Sequence, residues 1–129
     1  MPPQDETVAP RLDDATTGRP RAGEFVAVNF ISCTAPYRER FEQLFGSRAH
    51  AIDRVPGFRH MVVLRPEREG DDYLVVSFWT DRAAFDGWRT SPAFAEGHRR
   101  GFDDVRQARE RGEPAPMASS MRLYQILSD

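Results

Sequence analysis

Three side chains able to do chemistry interrupt otherwise apolar segments: Asn29 in EFVAVNFIS, Trp79 near the end of YLVVSFWT, and His98 in SPAFAEGH. A helix opened by Ser91-Pro92 would place Phe94, His98, Phe102 and Val105 on one stripe. Gly97 and Gly101 flank the histidine. Each glycine inside a helix costs about 1 kcal/mol relative to alanine. Each also removes bulk that would keep a ligand away from the backbone. A neutral imidazole on such an apolar wall suits axial ligation of haem iron; it equally suits a buried, hydrogen-bonded core histidine. Asparagine is depleted in strands, and a buried one needs partners for its amide. Asn29 therefore implies a bulge, a bond to a helix end, or a donor aimed into a pocket. Trp79 is either ordinary core or a residue facing Asn29. His50, on a polar helix face, and His60, beside an arginine, are not expected to bind metal. No GxSxG, HExxH or P-loop pattern is present.

The composition narrows the classes further. At 129 residues, 40% of them hydrophobic, the chain suits one domain with a modest core. A net charge of -2 leaves no electrostatic footprint for nucleic acid. The 18 basic residues are all arginine. Cys33 is the only cysteine, so no disulfide forms within the chain, which fits a reducing cytoplasm. No apolar run approaches the ~18 residues of a membrane span. Residues 1–23 are polar, acidic and Pro-rich, lack a signal peptide's apolar core, and read as a disordered tail before a domain at 24–129.

The positioning elements follow from periodicity. Glu24–Ser32 is a strand apolar on both faces except at Asn29, hence a central one. Pro36 opens a helix in which Tyr37, Phe41, Leu44, Phe45, Ile52 and Val55 recur at helical spacing, with Arg48 on the same face. Pro56-Gly57 ends it. Phe58–Arg65 is a second strand, PEREGDD a hairpin turn, and Tyr73–Thr80 a third strand. Asp81 caps a short helix to Arg89, and Ser91 caps another running to about Gly112. Met121–Leu127 is the last strand. The order β-α-β-β-α-α-β is the split βαβ, ferredoxin-like α+β pattern, with strands one and three adjacent and antiparallel. Helices cover one face of the sheet. The other face, still apolar, is expected to pack on the sheet of a second subunit as a dimeric barrel.

From Phe25 to Leu127 the chain resembles the IsdG-like haem-degrading monooxygenases of the antibiotic-biosynthesis-monooxygenase superfamily. The likeness lies in AVNFI, RAHAIDRVPGF, VVSFWTDRAAFDGW and SPAFAEGH, and above all in Asn29, Trp79 and His98 together. The resemblance implies that haem is both cofactor and substrate. His98 would hold the iron, Asn29 would hydrogen-bond on the distal side, and Trp79 would press the porphyrin out of plane. It also implies O2, an external electron donor such as a reductase, and release of iron. Phe45, Phe78 and Phe94 would wall the pocket. Arg48 would lie near the ligand, and Arg99 or Arg100 would meet the propionates. Three other functions compete: a cofactor-independent quinol or polyketide monooxygenase on the same fold, a non-catalytic haem carrier, and a dimeric stress-response domain with no ligand.

Overall fold

The computed structural model describes residues 19–46 and 50–129. Four antiparallel strands, β1 (Phe25–Cys33), β2 (Phe58–Leu64), β3 (Tyr73–Trp79) and β4 (Met117–Gln125), form one sheet in the order β2-β3-β1-β4. This is the ferredoxin-like arrangement expected from the sequence. β1 is central because both of its faces carry apolar side chains that only an internal strand can bury. The helices α1 (Arg38–Gly46), α2 (Arg82–Arg89) and α3 (Pro92–Glu110) contribute their buried residues to one side of the sheet. Among the described residues, no helix is long and apolar enough to cross a membrane.

The caps form as the sequence requires. Asp81 accepts the Ala84 N–H at 2.9 Å, and Ser91 accepts the Phe94 N–H at 3.2 Å. α1 is tied to the sheet by Tyr73, whose hydroxyl donates to Glu42 at 2.6 Å. The same carboxylate takes two nitrogens of Arg65. The bonds from Arg65 and then Tyr73 hold the Glu42 carboxyl down at about 2.

The structure departs from the sequence expectations in three places. The helix predicted from Pro36 to Val55 is broken. A 3-10 turn at Ala35–Tyr37 leads into α1, which ends at Gly46, and a second 3-10 turn spans Ala51–Arg54. His50 has φ 61°, a left-handed conformation that no continuing helix tolerates. Second, β4 begins at Met117, four residues earlier than expected, because its small and polar start still pairs with Cys33, Ser32 and Ile31 of β1. Third, the chain is already tied down before residue 24. Arg59 donates to the Arg19 carbonyl at 3.0 Å, Ala22 N–H to Asp129 at 2.8 Å and Gly23 N–H to Ile126 O at 2.8 Å. The remainder of the expected tail, residues 1–18, lies outside the described residues.

Gly57 shows how tightly the β2 entry is built. Its φ is +85°, and a Cβ there would stand 2.4 Å from the Ala84 Cβ and 2.8 Å from the Thr80 Oγ1. Its carbonyl accepts the Thr80 N–H at 2.8 Å, locking the turn to the end of β3. Gly57→Ala combines left-handed strain with overpacking against α2, and is expected to cost about 2 kcal/mol or more. A thermal melt within a degree of wild type would contradict this packing.

Candidate functional site

The helix-facing side of the sheet is read directly from the register. Phe25, Ala27, Asn29 and Ile31 of β1 pair with Trp79, Ser77, Val75 and Tyr73 of β3, so all eight share one face. Two separate core clusters lie on it. One gathers Ala27, Ile52, Trp79, Phe85 and Trp88; the other gathers Ile31, Phe41 and Tyr73. The row between them is Asn29 with Val75, flanked on β4 by Met121. Asn29 and Val75 are only half-buried although they stand on the two innermost strands, and Met121 is 38% exposed. In the rows on either side, Ala27, Ser77, Ile31 and Tyr73 of the two inner strands are buried. The middle of the helix-covered face is therefore a less covered gap between two packed ends.

Asn29 carries an unresolved demand at that gap. Its Oδ1 is sealed from solvent and has no hydrogen-bond partner. An orphaned buried acceptor costs about 1–3 kcal/mol; β1 pairs without a bulge through Asn29, and its Oδ1 takes no bond from a helix end.

α3 runs along this face from one cluster to the other. Ala93 and Phe94 pack on the Trp79 cluster, while Asp104, further along, accepts from Tyr37 at 2.6 Å and from Arg40 at 3.0 Å. Burial opposes the charge on Asp104, but these two bonds outweigh it and keep the carboxyl below its ordinary range. Arg100 donates to the Leu44 carbonyl at 3.2 Å and so joins α3 to the last turn of α1. His98 falls between these anchors along α3. Its Nδ1 lies 2.7 Å from the Phe94 carbonyl. A carbonyl only accepts, so Nδ1 bears the proton, and in the neutral imidazole Nε2 is the lone-pair nitrogen. The ring stacks on Phe94 at 4.1 Å and 28°, and on Phe102 at 5.7 Å and 24°.

The aromatic stripe is a flank of α3 and not its packed face. Phe102 is 54% exposed, whereas Ala108 is buried and Asp104 reaches Tyr37. The packed stripe is Ala93, Gly101, Asp104 and Ala108, and Gly97 has the same helical spacing without a packing neighbour. Gly97 is exposed, and a Cβ built on it meets nothing within 4 Å. Space thus remains beside the backbone one residue before His98.

The other expected site residues separate. Phe45 packs on the Tyr73 cluster and Phe94 on the Trp79 cluster, one at each packed end. Phe78 does not join them. It pairs with Val26 and stacks near His60 at 6.0 Å, on the opposite face of the sheet, because alternation along β3 turns it away from Ser77 and Trp79. Trp79 shares the face of Asn29 but is 0% exposed, wedged edge-on between Phe58 and Phe85. Four residues along β3 separate it from the Asn29 row, about 13 Å. Its indole N–H donates to Ser77 at 2.9 Å. Ser77 was not singled out from sequence; the available signal was a hydroxyl on the inward parity of an apolar strand. Arg48 lies outside the described residues. Arg99 pairs with Glu96, and Arg100 holds α1. His50 sits beside Asp53, and His60 is exposed. Among the described residues no cluster of metal-binding side chains occurs, so His98 could ligate only as a single protein ligand.

Comparison with known proteins places this geometry among relatives. The model of the antibiotic biosynthesis monooxygenase family matches residues 24–100. A heme oxygenase (mycobilin-producing) of Mycobacterium tuberculosis is 38% identical over 104 residues, covering 81% of this chain and 90% of that protein. The solved structure of the M. tuberculosis heme-degrader MhuD, with two hemes bound in its active site, superposes with a TM-score of 0.61 at 30% identity, over 81% of this chain and 97% of that one. The cofactor-independent oxygenase SnoaB of Streptomyces nogalater superposes with a TM-score of 0.59 at 26% identity, over 84% and 97%.

Proposed function

The chain belongs to the antibiotic biosynthesis monooxygenase family, and on that premise we propose that it is an oxygenase that degrades haem and releases its iron. The observation that carries the proposal is His98: an imidazole whose Nδ1 proton is taken by the Phe94 carbonyl, leaving Nε2 as a ligand atom on an apolar flank. Metal-bound histidines are held in this way, with the second nitrogen donating to a carbonyl or carboxylate. The space at Gly97 fits a planar apolar group entering the cleft, and Asn29 is the polar residue on the helix-covered face of the central strand.

Bound haem would supply the iron that activates O2 and the porphyrin that is oxidised, with electrons from an external donor such as a reductase. His98 anchors it from α3. Asn29 offers its amide from the sheet, on the other wall of the cleft. Phe94 and Phe45 contribute apolar surface at the two ends and limit water. Trp79 acts from beneath, through Ser77 and the packing of Phe58 and Phe85; direct pressure on a ligand requires the indole to leave its buried rotamer. The second face of the sheet, with Val28, Phe30, Val62, Leu74, Val76 and Phe78 half-buried, is covered by the sheet of a second copy of this chain, in a cytoplasmic homodimer.

Haemin added to the protein, followed by a chemical reductant in air, separates this reading from its competitors. The expected result is a protein-bound Soret band that decays after reduction while a ferrous chelator traps iron. A stable Soret band would identify a carrier. No Soret band would point to the cofactor-independent chemistry named for SnoaB. Gly97 gives a structural check. Gly97→Ala is expected to raise apo stability by about 1 kcal/mol through helix propensity. Gly97→Leu is expected to weaken haem binding roughly tenfold or more by filling the cleft. Unchanged haem affinity in Gly97→Leu would place the ligand elsewhere.

A further inference from the structure

Ser77 is a buried hydroxyl in an apolar row of the helix-covered face, and two of its neighbours have complementary needs. It accepts the Trp79 indole N–H at 2.9 Å. That bond uses one lone pair, and the hydroxyl retains a proton to donate. Asn29 Oδ1 is a sealed acceptor without a partner. Ser77 pairs with Ala27, and Asn29 stands two residues further along β1, so Ser77 and Asn29 are diagonal neighbours on one face. Diagonal positions lie about 7–8 Å apart, with their Cβ atoms somewhat closer, which leaves the Asn29 amide oxygen within reach of the Ser77 hydroxyl once the short side chain turns toward it.

We propose that Ser77 is a positioning residue that couples Trp79 to Asn29, holding the indole through its oxygen and orienting the Asn29 amide through its proton. The polarity of the chain runs one way. The indole donates to the hydroxyl, and the hydroxyl donates toward Asn29 Oδ1. An amide engaged at its oxygen keeps its NH2 group turned away, as a donor toward the cleft. Trp79, although fully buried, thereby controls the residue expected to meet the ligand. The catalytic part of this inference rests on the haem-degrading reading above; the coupling itself does not.

The composition makes the coupling directly measurable. Asn29 is the only asparagine, and Trp79 and Trp88 are the only tryptophans. Protein labelled with 15N-asparagine and 15N-tryptophan therefore shows one carboxamide and two indole signals, and Trp79→Phe assigns the indoles. In the ligand-free protein, Ser77→Ala is expected to shift the Trp79 indole and the Asn29 carboxamide while the Trp88 indole stays in place. Ser77→Thr, which keeps the hydroxyl, is expected to restore both. An unmoved Trp79 indole would show that Ser77 does not hold it, and an unmoved carboxamide would show that the coupling to Asn29 does not exist. With haemin and reductant, Ser77→Ala should keep the Soret band and lose about tenfold in turnover. Ser77→Ala combined with Asn29→Ala should fall no lower than Asn29→Ala alone, as expected for residues acting as one unit. Multiplying losses would overturn the proposal. If wild-type protein does not consume haem, the functional reading fails and the ligand-free spectra still decide the role of Ser77.

Discussion

His98→Ala is expected to abolish haem turnover and to move the Soret maximum, while the protein remains folded and retains part of its haem affinity. The loss follows from the geometry of one nitrogen. Nδ1 is spent on the Phe94 carbonyl, so Nε2 is the atom offered, and alanine removes it. The fold should tolerate the change because His98 is half-buried on a flank, while α3 docks through Ala93, Asp104 and Ala108. Alanine is also the better helix former. An apolar cleft buries most of a flat ligand without an axial bond, so coordination is the quantity to read and retention is not. His50→Ala and His60→Ala serve as controls. His50 is exposed beside Asp53, and His60 lies on the other side of the sheet next to Phe78. Imidazole-type ligation that persists in His98→Ala, or vanishes in His60→Ala, would sink the assignment.

What was legible in the sequence, and what was not, divides along physical lines. The central position of β1 followed from its two apolar faces, and the starts of α2 and α3 followed from Asp81 and Ser91, because both signals are local. The break between α1 and the turn at Ala51–Arg54 was hidden because apolar spacing carries across it. Phe41 and Ile52 keep helical register yet enter different clusters. α3 misled in the opposite sense. Its aromatic stripe drew attention as the buried face, whereas close helix packing used the small residues, and Phe102 was left exposed. Phe78 was decidable from alternation alone, since Ser77 and Trp79 have the parity of the helix face and Phe78 does not. The start of β4 was not decidable, because MASS has no strand period and becomes a strand only by pairing with β1. Asn29 and His98 stand out in the sequence as interruptions of apolar segments. Whether their partners existed was a tertiary question, answered by the orphaned oxygen of one and the carbonyl bond of the other.

Trp79→Ala should cost more stability than any other single substitution considered for this chain. The sequence pattern leaves Trp79 as ordinary core or a residue facing Asn29, whereas the family resemblance makes it a surface pressed on a porphyrin, whose removal would leave a folded protein with altered chemistry. The structure instead makes it the only tryptophan with 0% exposure, packed edge-on against Phe58 and Phe85 at 5.4 and 5.7 Å, with its N–H spent on Ser77. Truncating a buried tryptophan costs about 3–5 kcal/mol, because the cavity only partly collapses. For a domain of this size that lowers the melting temperature by roughly 12–20 °C. A fall in haem turnover in Trp79→Ala would therefore mix unfolding with chemistry and says little about mechanism. Trp79→Phe separates the two. It keeps most of the apolar volume and removes the donor to Ser77, so its stability loss should be less than half that of Trp79→Ala. A catalytic defect in Trp79→Phe would then be read at a temperature where the protein is fully folded. If Trp79→Ala melts within a few degrees of wild type, the indole is not a wall of the core, and its direct contact with a ligand becomes the better reading.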